Sequence, residues 1–274
     1  MDSSLAGKLA ELTSLLVDLD NVVVAYSGGV DSSFLAAAAH EALGARSLAV
    51  TAVSPSLARR DLVQARSLAR ARGWRHEEVL TGEVERPEYR ANAPDRCYWC
   101  KTELMEVLEP IARSRGGTVV VGTNTDDLGD HRPGLRAARE HDARAPLAEA
   151  GLGKDDVRAL SRTIGLPTAD KPASPCLASR FAYGVSVTVE GLARVERAEE
   201  ALRAFGFTEL RVRDHGDLAR IEVPHASIER AAALSGEISS ALKDLGYVYV
   251  ALDLTGFRSG AMNEVLRPPR IRPA

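Results

Sequence analysis

Asn21-Val-Val-Val-Ala-Tyr-Ser-Gly-Gly-Val-Asp-Ser-Ser33 is the stretch of sequence that predicts the fold. Three of its first six residues are consecutive β-branched valines, and the run is bounded by turn residues, which is typical of a strand buried on both faces of a parallel sheet. Residues 34 to 43 are rich in alanine and precede Gly44, which predicts a helix that ends there. A strand that passes through glycines into a helix indicates the first unit of an α/β fold.

The same alternation of strand and helix extends on both sides of this stretch. Leucines at spacings of three and four predict a helix over residues 5 to 19. Further strands are predicted over residues 47 to 53, 75 to 80 and 118 to 122, and further helices over residues 57 to 72 and 101 to 115. We therefore expect a doubly wound parallel sheet, whose ligands bind beyond the carboxyl ends of the strands.

The pattern changes at about residue 185 and predicts a second, smaller α+β domain. Its expected elements are a helix over 188 to 205, strands over 209 to 214 and 218 to 223, a helix over 226 to 245 and a strand over 247 to 254. The predicted bounds are 1 to 170 for the first domain, 171 to 184 for a hinge, 185 to 266 for the second domain and 267 to 274 for a poorly ordered tail.

The composition excludes several classes of protein. With 274 residues, 45% hydrophobic and 27% charged residues and a formal charge of -3, the chain is an ordinary globular protein that can bury a core without disulfides. We expect no nucleic-acid partner, because a basic tract is missing, and no membrane partner, because no segment is apolar enough to span a bilayer. Residues 1 to 19 do not have the pattern of a signal peptide, and the three cysteines are too few and unevenly spaced for a disulfide framework, so we expect a cytoplasmic location.

The glycine-rich turn after the first strand has the composition of a phosphate-binding loop. Gly28 and Gly29 allow successive backbone N–H groups to point into one concavity, and the helix that follows adds its unpaired N–H groups. Ser27 and Ser32 supply hydroxyl donors, and Asp31 is expected to hold Mg²⁺ on the bound phosphates. The alternative is an ordinary strand-to-helix turn in which Ser32 only caps the helix.

The cysteines lie in two distant segments. Cys97 and Cys100 are separated by three positions, so one ion or cluster can accept both thiolates, which Arg96 and Lys101 should favour. A zinc site completed by His131 or His141 and a redox disulfide are the alternatives for this pair. Cys176 stands between prolines in residues 171 to 184, which we expect to display its thiol, although a buried inert thiol is the alternative.

Three segments together resemble the LarE family of ATP-dependent sulfur transferases. Residues 27 to 32 match the PP-loop, SGGxDS, of ATP-pyrophosphatases, residues 122 to 127 match Gly-Thr-Asn-x-Asp-Asp, and residues 175 to 180 are Pro-Cys-Leu-Ala-Ser-Arg. The resemblance covers roughly residues 20 to 260. It implies a fold similar to the adenine nucleotide alpha hydrolases, with ATP and Mg²⁺ bound at the PP-loop in the first domain.

The resemblance also implies a reaction. The substrate would be pyridinium-3,5-dicarboxylate mononucleotide, each carboxylate would be adenylated with release of pyrophosphate, and sulfur would replace the activated oxygen to give a thiocarboxylate. The product would then bind nickel as the pincer cofactor of lactate racemase. The residues implied to bind the nucleotide, with its adenine near residues 51 to 53, are Ala25, Ser27, Gly28, Gly29, Val30, Asp31, Ser32, Thr51, Gly122, Asn124 and Asp127.

For the cysteines the resemblance implies catalysis by one of two routes. Members with three cysteines are similar to enzymes in which three thiolates hold a 4Fe-4S cluster, and three protein ligands leave one iron open for an exogenous sulfide. We therefore expect Cys97, Cys100 and Cys176 to be cluster ligands, with the sulfide supplied by an external donor. In members that have only the cysteine of the Pro-Cys-Leu-Ala-Ser-Arg segment, its sulfur is sacrificed and a dehydroalanine remains, which is the alternative for Cys176.

The substrate would need a surface for its ring and cations for its phosphate. Trp99, with Tyr98 beside it, is expected to stack on the positively charged ring, with ordinary packing as the alternative. Arg211 and Arg213 alternate on a predicted strand and are expected to share the phosphate. The resemblance assigns phosphate binding to Ser179 and Arg180 as well.

Two further expectations concern the second domain. Glu199, Glu200 and Glu222 are predicted to lie on the solvated surface, although family members gather carboxylates at subunit contacts, sometimes around a metal ion. The resemblance implies a homo-oligomer such as a hexamer.

Other functions fit parts of the same sequence. A PP-loop amidating synthetase would leave all three cysteines without a role, and a tRNA thiolase would need a basic surface. A regulatory module that binds nucleotide would bind ATP without releasing pyrophosphate.

Overall fold

A computed structural model of the chain describes residues 3 to 129, 133 to 258, 261 and 266. Asp130, His131 and the predicted tail, 267 to 274, lie outside the described residues. The chain divides into two compact units, one formed by Met1–Tyr89 and Asp95–Ser174 and the other by Arg90–Pro94 and Pro175–Ala274. No helix of the described part is long and apolar enough to cross a membrane.

The first unit is an α/β structure built on a four-stranded parallel sheet. Its strands are β1 (Val22–Ala25), β2 (Ser47–Val53), β3 (His76–Leu80) and β4 (Thr118–Val120), in the order β3-β2-β1-β4. Its helices are α1 (Ser3–Asp18), α2 (Val30–Leu43), α3 (Arg59–Ala71), α4 (Pro87–Arg90, whose last residue belongs to the second unit), α5 (Arg96–Ser114), α6 (Pro133–Glu140), α7 (Pro146–Glu149) and α8 (Lys154–Thr163).

Helices cover both faces of this sheet, as predicted for a doubly wound fold. On one face Val22 and Val24 of β1 pack with buried residues of α1, α2, α3 and α8. On the other face Val23 of β1 packs with Met105 and Leu108 of α5. Because successive strand residues point to opposite faces, the run of valines in β1 supplies both cores.

The strand order fixes where a ligand can bind. The chain runs from β1 outward through β2 to β3, and then returns to place β4 on the other side of β1. The loops after β1 and β4 therefore diverge at a topological switch point, where the carboxyl edge of an α/β sheet opens into a crevice. The two loops that line this crevice follow β1 and β4 and begin at Tyr26 and Val121.

The second unit is a small α+β structure with its own core. Strands β5 (Arg211–Asp214), β6 (Leu218–Glu222) and β7 (Tyr249–Leu252) form a sheet in which β6 pairs antiparallel with β5 and parallel with β7. The helices are α9 (Val189–Ala204), α10 (Ile228–Ala233) and α11 (Ser235–Lys243). Apolar residues of α9, α11 and the sheet, among them Leu202, Val212 and Leu242, form the buried cluster.

Three of the predicted helices depart from the observed ones by more than the one or two residues by which the others differ. The predicted helix over 34 to 43 begins at Val30, and the predicted helix over 101 to 115 begins at Arg96, because Gly29 and Asp95 are the actual N-caps. The predicted helix over 226 to 245 is two helices joined at Leu234. Ser235 and Gly236 follow this joint, and both residue types weaken the interior of a helix.

Candidate active site

The turn after β1 has the geometry that was predicted for an anion-binding loop. Gly28 adopts a φ of +69°, and a Cβ at this position would lie 2.9 Å from the Cβ of Ala65, so only glycine fits here. The Ser32 hydroxyl accepts a hydrogen bond from the Ser27 backbone N–H, 3.2 Å, and shares one with the Ser27 hydroxyl, 3.0 Å. The N-cap of α2 is Gly29, so Ser32 is not the cap, and the first amides of the helix lie beside the loop.

Asp31 is held at the start of α2 by two side chains from other parts of the first unit. Its Oδ1 accepts a hydrogen bond of 3.2 Å from the Asn124 amide, and its Oδ2 accepts one from the Lys154 ammonium, which also forms an ion pair with it. Asn124 is itself fixed, because its backbone N–H donates to Asp127, 3.1 Å. The structure thus brings together the predicted residues Asp31, Asn124 and Asp127, and adds a cation that the sequence analysis did not select.

Gly122 lies against the start of α2. A Cβ at this position would be 2.9 Å from the backbone nitrogen of Ser32 and 3.1 Å from the carbonyl carbon of Asp31. The contact follows from the topology, since β4 pairs with β1 and the loops that leave these strands are neighbours. The backbone of the predicted nucleotide residue Gly122 therefore shapes the loop of Asp31 and Ser32.

Gly122→Ala is expected to displace this loop. The added methyl group meets backbone atoms that cannot rotate away, so overpacking should lower the free energy of unfolding by about 1–3 kcal/mol. Because the amides of the loop move with it, we also expect nucleotide affinity to fall by about tenfold or more, which is about 1.4 kcal/mol. Denaturant unfolding and nucleotide titration measure the two effects. Gly129→Ala is the matched control, because a Cβ there meets nothing within 4 Å; equal behaviour of the two variants would contradict the prediction.

Two lysines that the sequence analysis did not select reach the loop. Lys154 begins α8 and contacts Asp31, and the ammonium of Lys171 donates to the carbonyl of Gly28, 3.2 Å. The sequence contains a start signal for α8, because Gly153 precedes two acids, Asp155 and Asp156, that fall in the first turn of the helix. In the structure Asp156 accepts a hydrogen bond from the Gly153 N–H, 3.1 Å. No spacing rule in the sequence indicates that either ammonium reaches residues 27 to 33.

Thr51 lies at the carboxyl half of β2 and is buried. Its hydroxyl donates to the carbonyl of Tyr26, 2.8 Å, and is 2.9 Å from Nε2 of His76. Burial raises the pKa of the neighbouring Tyr26 phenol to about 12, and the Ser33 hydroxyl opposes this shift. Thr51 therefore supports the strand ends beneath the loop, and its predicted contact with adenine stays a prediction.

Cys97 and Cys100 lie in the first turns of α5, where residues three apart share a helix face. Cys97 is exposed and Cys100 is half-buried. Desolvation lowers the pKa of Lys101, and the charges of Cys100 and Cys97 oppose the shift, so this lysine lies within electrostatic reach of both sulfurs. Such a paired thiol site beside a cation suits a soft metal or cluster.

The structure describes one of the two histidines that could complete a zinc site at the cysteine pair. His141 contacts Glu109 through Nδ1, 2.6 Å, and His131 lies outside the described residues. Within residues 3 to 129 and 133 to 258, no three His, Cys, Asp or Glu side chains converge as metal ligands. The cluster and zinc hypotheses therefore both stay predictions.

Trp99 and Tyr98 form an edge-to-face pair with ring centroids 5.1 Å apart. Trp99 donates its indole N–H to Asp95, 3.1 Å, and the Tyr98 ring already has the guanidinium of Arg136 at 4.3 Å from its centroid. Hydrogen bonding to Glu140 raises the pKa of the Tyr98 phenol. Tyr98 is thus engaged with protein partners, Trp99 is half-buried, and the predicted stacking of Trp99 on the substrate ring stays a prediction.

In the second unit, Arg180 holds the backbone around Cys176. Its guanidinium donates to the carbonyls of Pro175 and Cys176, the latter at 3.0 Å, and to the Ser179 hydroxyl, 3.0 Å. The Arg180 side chain is 2% exposed and forms a two-bond ion pair with Glu199. Cys176 itself is exposed, as predicted. Arg180 therefore positions the cysteine segment, and its predicted contact with substrate phosphate stays a prediction.

The surface location predicted for Glu199 and Glu222 is wrong, whereas Glu200 is exposed as predicted. Glu199 is buried because Arg180 and Arg203 neutralise it; burial alone would raise its pKa, but these charges hold the pKa below its usual range. Glu222 is fully buried on β6 beside Arg213, 2.7 Å. The charges of Glu199 and Glu222 and of their arginine neighbours belong to internal ion pairs and not to a solvated face.

Arg211 and Arg213 lie two apart on β5 and are both buried. Arg213 donates to the carbonyl of Ser179, 3.0 Å, as well as to Glu222. Arg211 donates to the Leu210 carbonyl and lies over the ring of Phe257. The structure thus joins the predicted residues Ser179, Arg180 and Arg213 in one network, in which the arginines bind carboxylates and carbonyls.

Glu199→Gln is expected to destabilise the second unit by about 3–5 kcal/mol, because it leaves the buried guanidinium of Arg180 without its counter-charge. Thermal unfolding followed by circular dichroism measures this loss. Glu200→Gln, at the exposed neighbouring position, is the control and should change stability by less than about 0.5 kcal/mol. Similar melting temperatures for the two variants would show that the network does not hold the unit together.

Comparison with known proteins adds relatives that extend over nearly the whole chain, although no protein-family model matches it. The chain is 46% identical over 265 residues to an uncharacterized protein of Synechocystis sp., covering 96% of this chain and 99% of the relative. It is 40% identical over 266 residues to the pyridinium-3,5-bisthiocarboxylic acid mononucleotide synthase of Lactiplantibacillus plantarum, covering 96% of each. An uncharacterized protein of Methanocaldococcus jannaschii is 30% identical over 239 residues, 87% of this chain and 91% of the relative. With the glycine loop, the exposed cysteine and these relatives established, the chain belongs to the LarE family.

Proposed function

We propose that the protein adenylates the carboxylates of a pyridinium-3,5-dicarboxylate mononucleotide with ATP and converts them to thiocarboxylates. Support comes from the relative of known product, whose name is that of a bisthiocarboxylic acid mononucleotide synthase. Further support comes from the loop, which offers amides, hydroxyls and two ammonium groups at one edge of the sheet. The single observation that carries the proposal is the exposed Cys176, held by a buried arginine within a chain that also has this loop.

In the first step an oxygen of the substrate carboxylate attacks the α-phosphorus of ATP. The bond from this phosphorus to the bridging oxygen breaks, and pyrophosphate leaves with the electron pair. Ser27, Ser32 and the amides around Gly29 would bind the leaving pyrophosphate, and Lys154 would supply positive charge beside them. Asp31 supplies carboxylate oxygens of the kind that Mg²⁺ prefers, and a bound ion would neutralise phosphate charge.

In the second step a sulfur nucleophile attacks the acyl carbon and AMP leaves. In the proposed cluster route the sulfide comes from an external donor, and Cys97, Cys100 and Cys176 are the protein ligands; the cluster supplies an iron that can hold this sulfide. In the alternative route Cys176 attacks through Sγ to form a thioester, and cleavage of its Cβ–Sγ bond with loss of the Hα proton leaves a dehydroalanine. The exposed Sγ of Cys176 is compatible with both routes.

The test is mass analysis of the substrate after anaerobic incubation with the protein, ATP, Mg²⁺ and sulfide. We expect the mass change of one sulfur-for-oxygen exchange per carboxylate and an equal amount of AMP. Multiple products per protein chain would support the cluster route, and a single product together with a protein mass lowered at Cys176 by the mass of H₂S would support sacrifice. An amide formed in a parallel incubation with ammonium in place of sulfide would identify an amidating synthetase, and ATP binding without pyrophosphate release would identify a regulatory module.

A further inference from the structure

Asp61 is a buried carboxylate in the first turn of α3, and both of its oxygens contact one short segment of the chain. The ammonium of Lys171 lies 3.0 Å from Oδ1, and the hydroxyl of Ser174 donates to Oδ2, 2.9 Å. Asp61 is 8% exposed and Lys171 is 16% exposed at its side chain. Because an unpaired carboxylate would be costly at this depth, these contacts fix the segment from 171 to 174 on α3.

The same segment also touches the phosphate loop. The Lys171 ammonium donates to the carbonyl of Gly28, 3.2 Å, while the backbone of Gly28 is packed against Ala65, one turn after Asp61 on α3. The contact between Lys171 and Oδ1 is an ion pair, and Oδ1 accepts no aligned hydrogen bond from any described residue. One ammonium therefore connects the carboxylate on α3 with the backbone of the loop.

The segment that contacts Asp61 leads directly to Cys176 in the sequence. Ser174 is the last residue of the first unit and precedes Cys176 by two positions. Pro172 and Pro175 restrict the backbone of this segment. Contacts that hold Lys171 and Ser174 therefore limit the conformations of the chain that leads to Cys176. Asp61 has no part in the predicted nucleotide or substrate contacts, and no motif of the sequence includes it.

We infer that Asp61 is a positioning residue that ties the chain ahead of Cys176 to the phosphate loop, so that nucleotide binding at the loop stabilises this chain further against opening. The inference rests on the proposed function, because it requires that nucleotide binds at residues 27 to 33. It assigns the Asp61 carboxylate a role in sulfur transfer that acts through Lys171 and Ser174. Asp61 is not among the residues proposed to bind either reactant.

Hydrogen–deuterium exchange tests this inference on the full chain without cluster or substrate. Exchange of peptides that contain the amides of Ala173, Ser174 and Cys176 is measured with and without Mg²⁺ and a non-hydrolysable ATP analogue. The variants are Asp61→Asn, which removes the charge opposite Lys171, and Ser174→Ala, which removes only the hydroxyl contact. The matched control is Asp170→Asn, whose carboxylate is exposed and pairs with Arg162.

In the wild type and in Asp170→Asn we expect the analogue to slow exchange of these amides by at least about fivefold. In Asp61→Asn this slowing should disappear although the Kd of the analogue changes by less than about threefold, and in Ser174→Ala it should be reduced. A merely structural role would change the melting temperature but leave the nucleotide dependence intact.

Three results would overturn the inference. The first is full slowing in Asp61→Asn or, if this variant does not fold, full slowing in Ser174→Ala. The second is loss of analogue binding in folded Asp61→Asn, which would make Asp61 part of the nucleotide site. The third is a wild type that binds the analogue without slowing exchange. A wild type that does not bind the analogue at all would instead contradict the proposed function, and the inference would fall with it.

Discussion

Cys176→Ala is expected to abolish thiocarboxylate formation, with a loss of at least about a thousandfold in kcat, while pyrophosphate release from ATP persists. The reason is that both proposed routes need this thiol, as a cluster ligand in one and as the sulfur source in the other, whereas the phosphate loop belongs to the other unit of the chain. Because Cys176 is exposed and its backbone is held by Arg180, removal of the sulfur should leave the fold intact. Parallel assays of thiocarboxylate and pyrophosphate on one preparation measure the two effects.

Cys97→Ala is the informative companion variant. In the cluster route it should lower iron content and thiocarboxylate formation together, and in the sacrificial route it should leave the first turnover unchanged. Thiocarboxylate formation at the wild-type rate by Cys176→Ala would contradict both routes and would direct attention to a sulfur source outside the three cysteines.

Asp31→Asn is expected to lower the rate of pyrophosphate release by about 10²–10³, or about 2.7–4 kcal/mol of transition-state stabilisation. The asparagine has the size of the aspartate but lacks the charge that faces Lys154 and that would hold Mg²⁺ on the phosphates. We expect the dependence of the rate on Mg²⁺ concentration to weaken as well. Steady-state pyrophosphate assays across Mg²⁺ concentrations measure both changes.

Asp155→Asn is the control for Asp31→Asn. Asp155 also lies at the start of a helix in the first unit, but it is exposed and precedes the part of α8 that faces the core. Its substitution should leave the rate within about threefold of the wild type. If Asp31→Asn released pyrophosphate as fast as Asp155→Asn, the loop would not be the site of ATP cleavage.

The sequence predicted the parallel sheet well because local signals and packing agree there. The run Val22 to Val24 is β-branched and buried on both faces, and glycines mark the loop directly after it. The strand bounds of β2 are as predicted, and β3 begins one residue later. Gly28 and Gly122 were selected from motifs, and the structure gives both a steric reason.

The sequence did not reveal interactions between residues that are far apart in the chain. Lys154 meets Asp31 across 123 positions, and Lys171 meets Gly28 across 143, and no periodicity reports such contacts. The whole of α8 lies in a stretch for which no element was predicted, so the ammonium at its first residue was missed with it.

The buried carboxylates show a second limit. Glu199 has charged neighbours at helical spacing, which usually indicates a solvated face. Here the partner that matters, Arg180, comes from a different segment, and its guanidinium makes burial of the carboxylate favourable. A sequence pattern reports the charges but not which of them are paired inside the protein.

The most direct test of the account follows oxygen from the substrate. The claim is that the carboxylate is activated as an ester of AMP, so substrate labelled with ¹⁸O in its carboxylates is incubated with the protein, ATP, Mg²⁺ and sulfide, and the AMP is analysed by mass spectrometry. The account predicts that each thiocarboxylate formed transfers one ¹⁸O to the phosphate of AMP. Two results would contradict the account. One is ¹⁸O label in inorganic phosphate, and the other is unlabelled AMP in a reaction that forms thiocarboxylate.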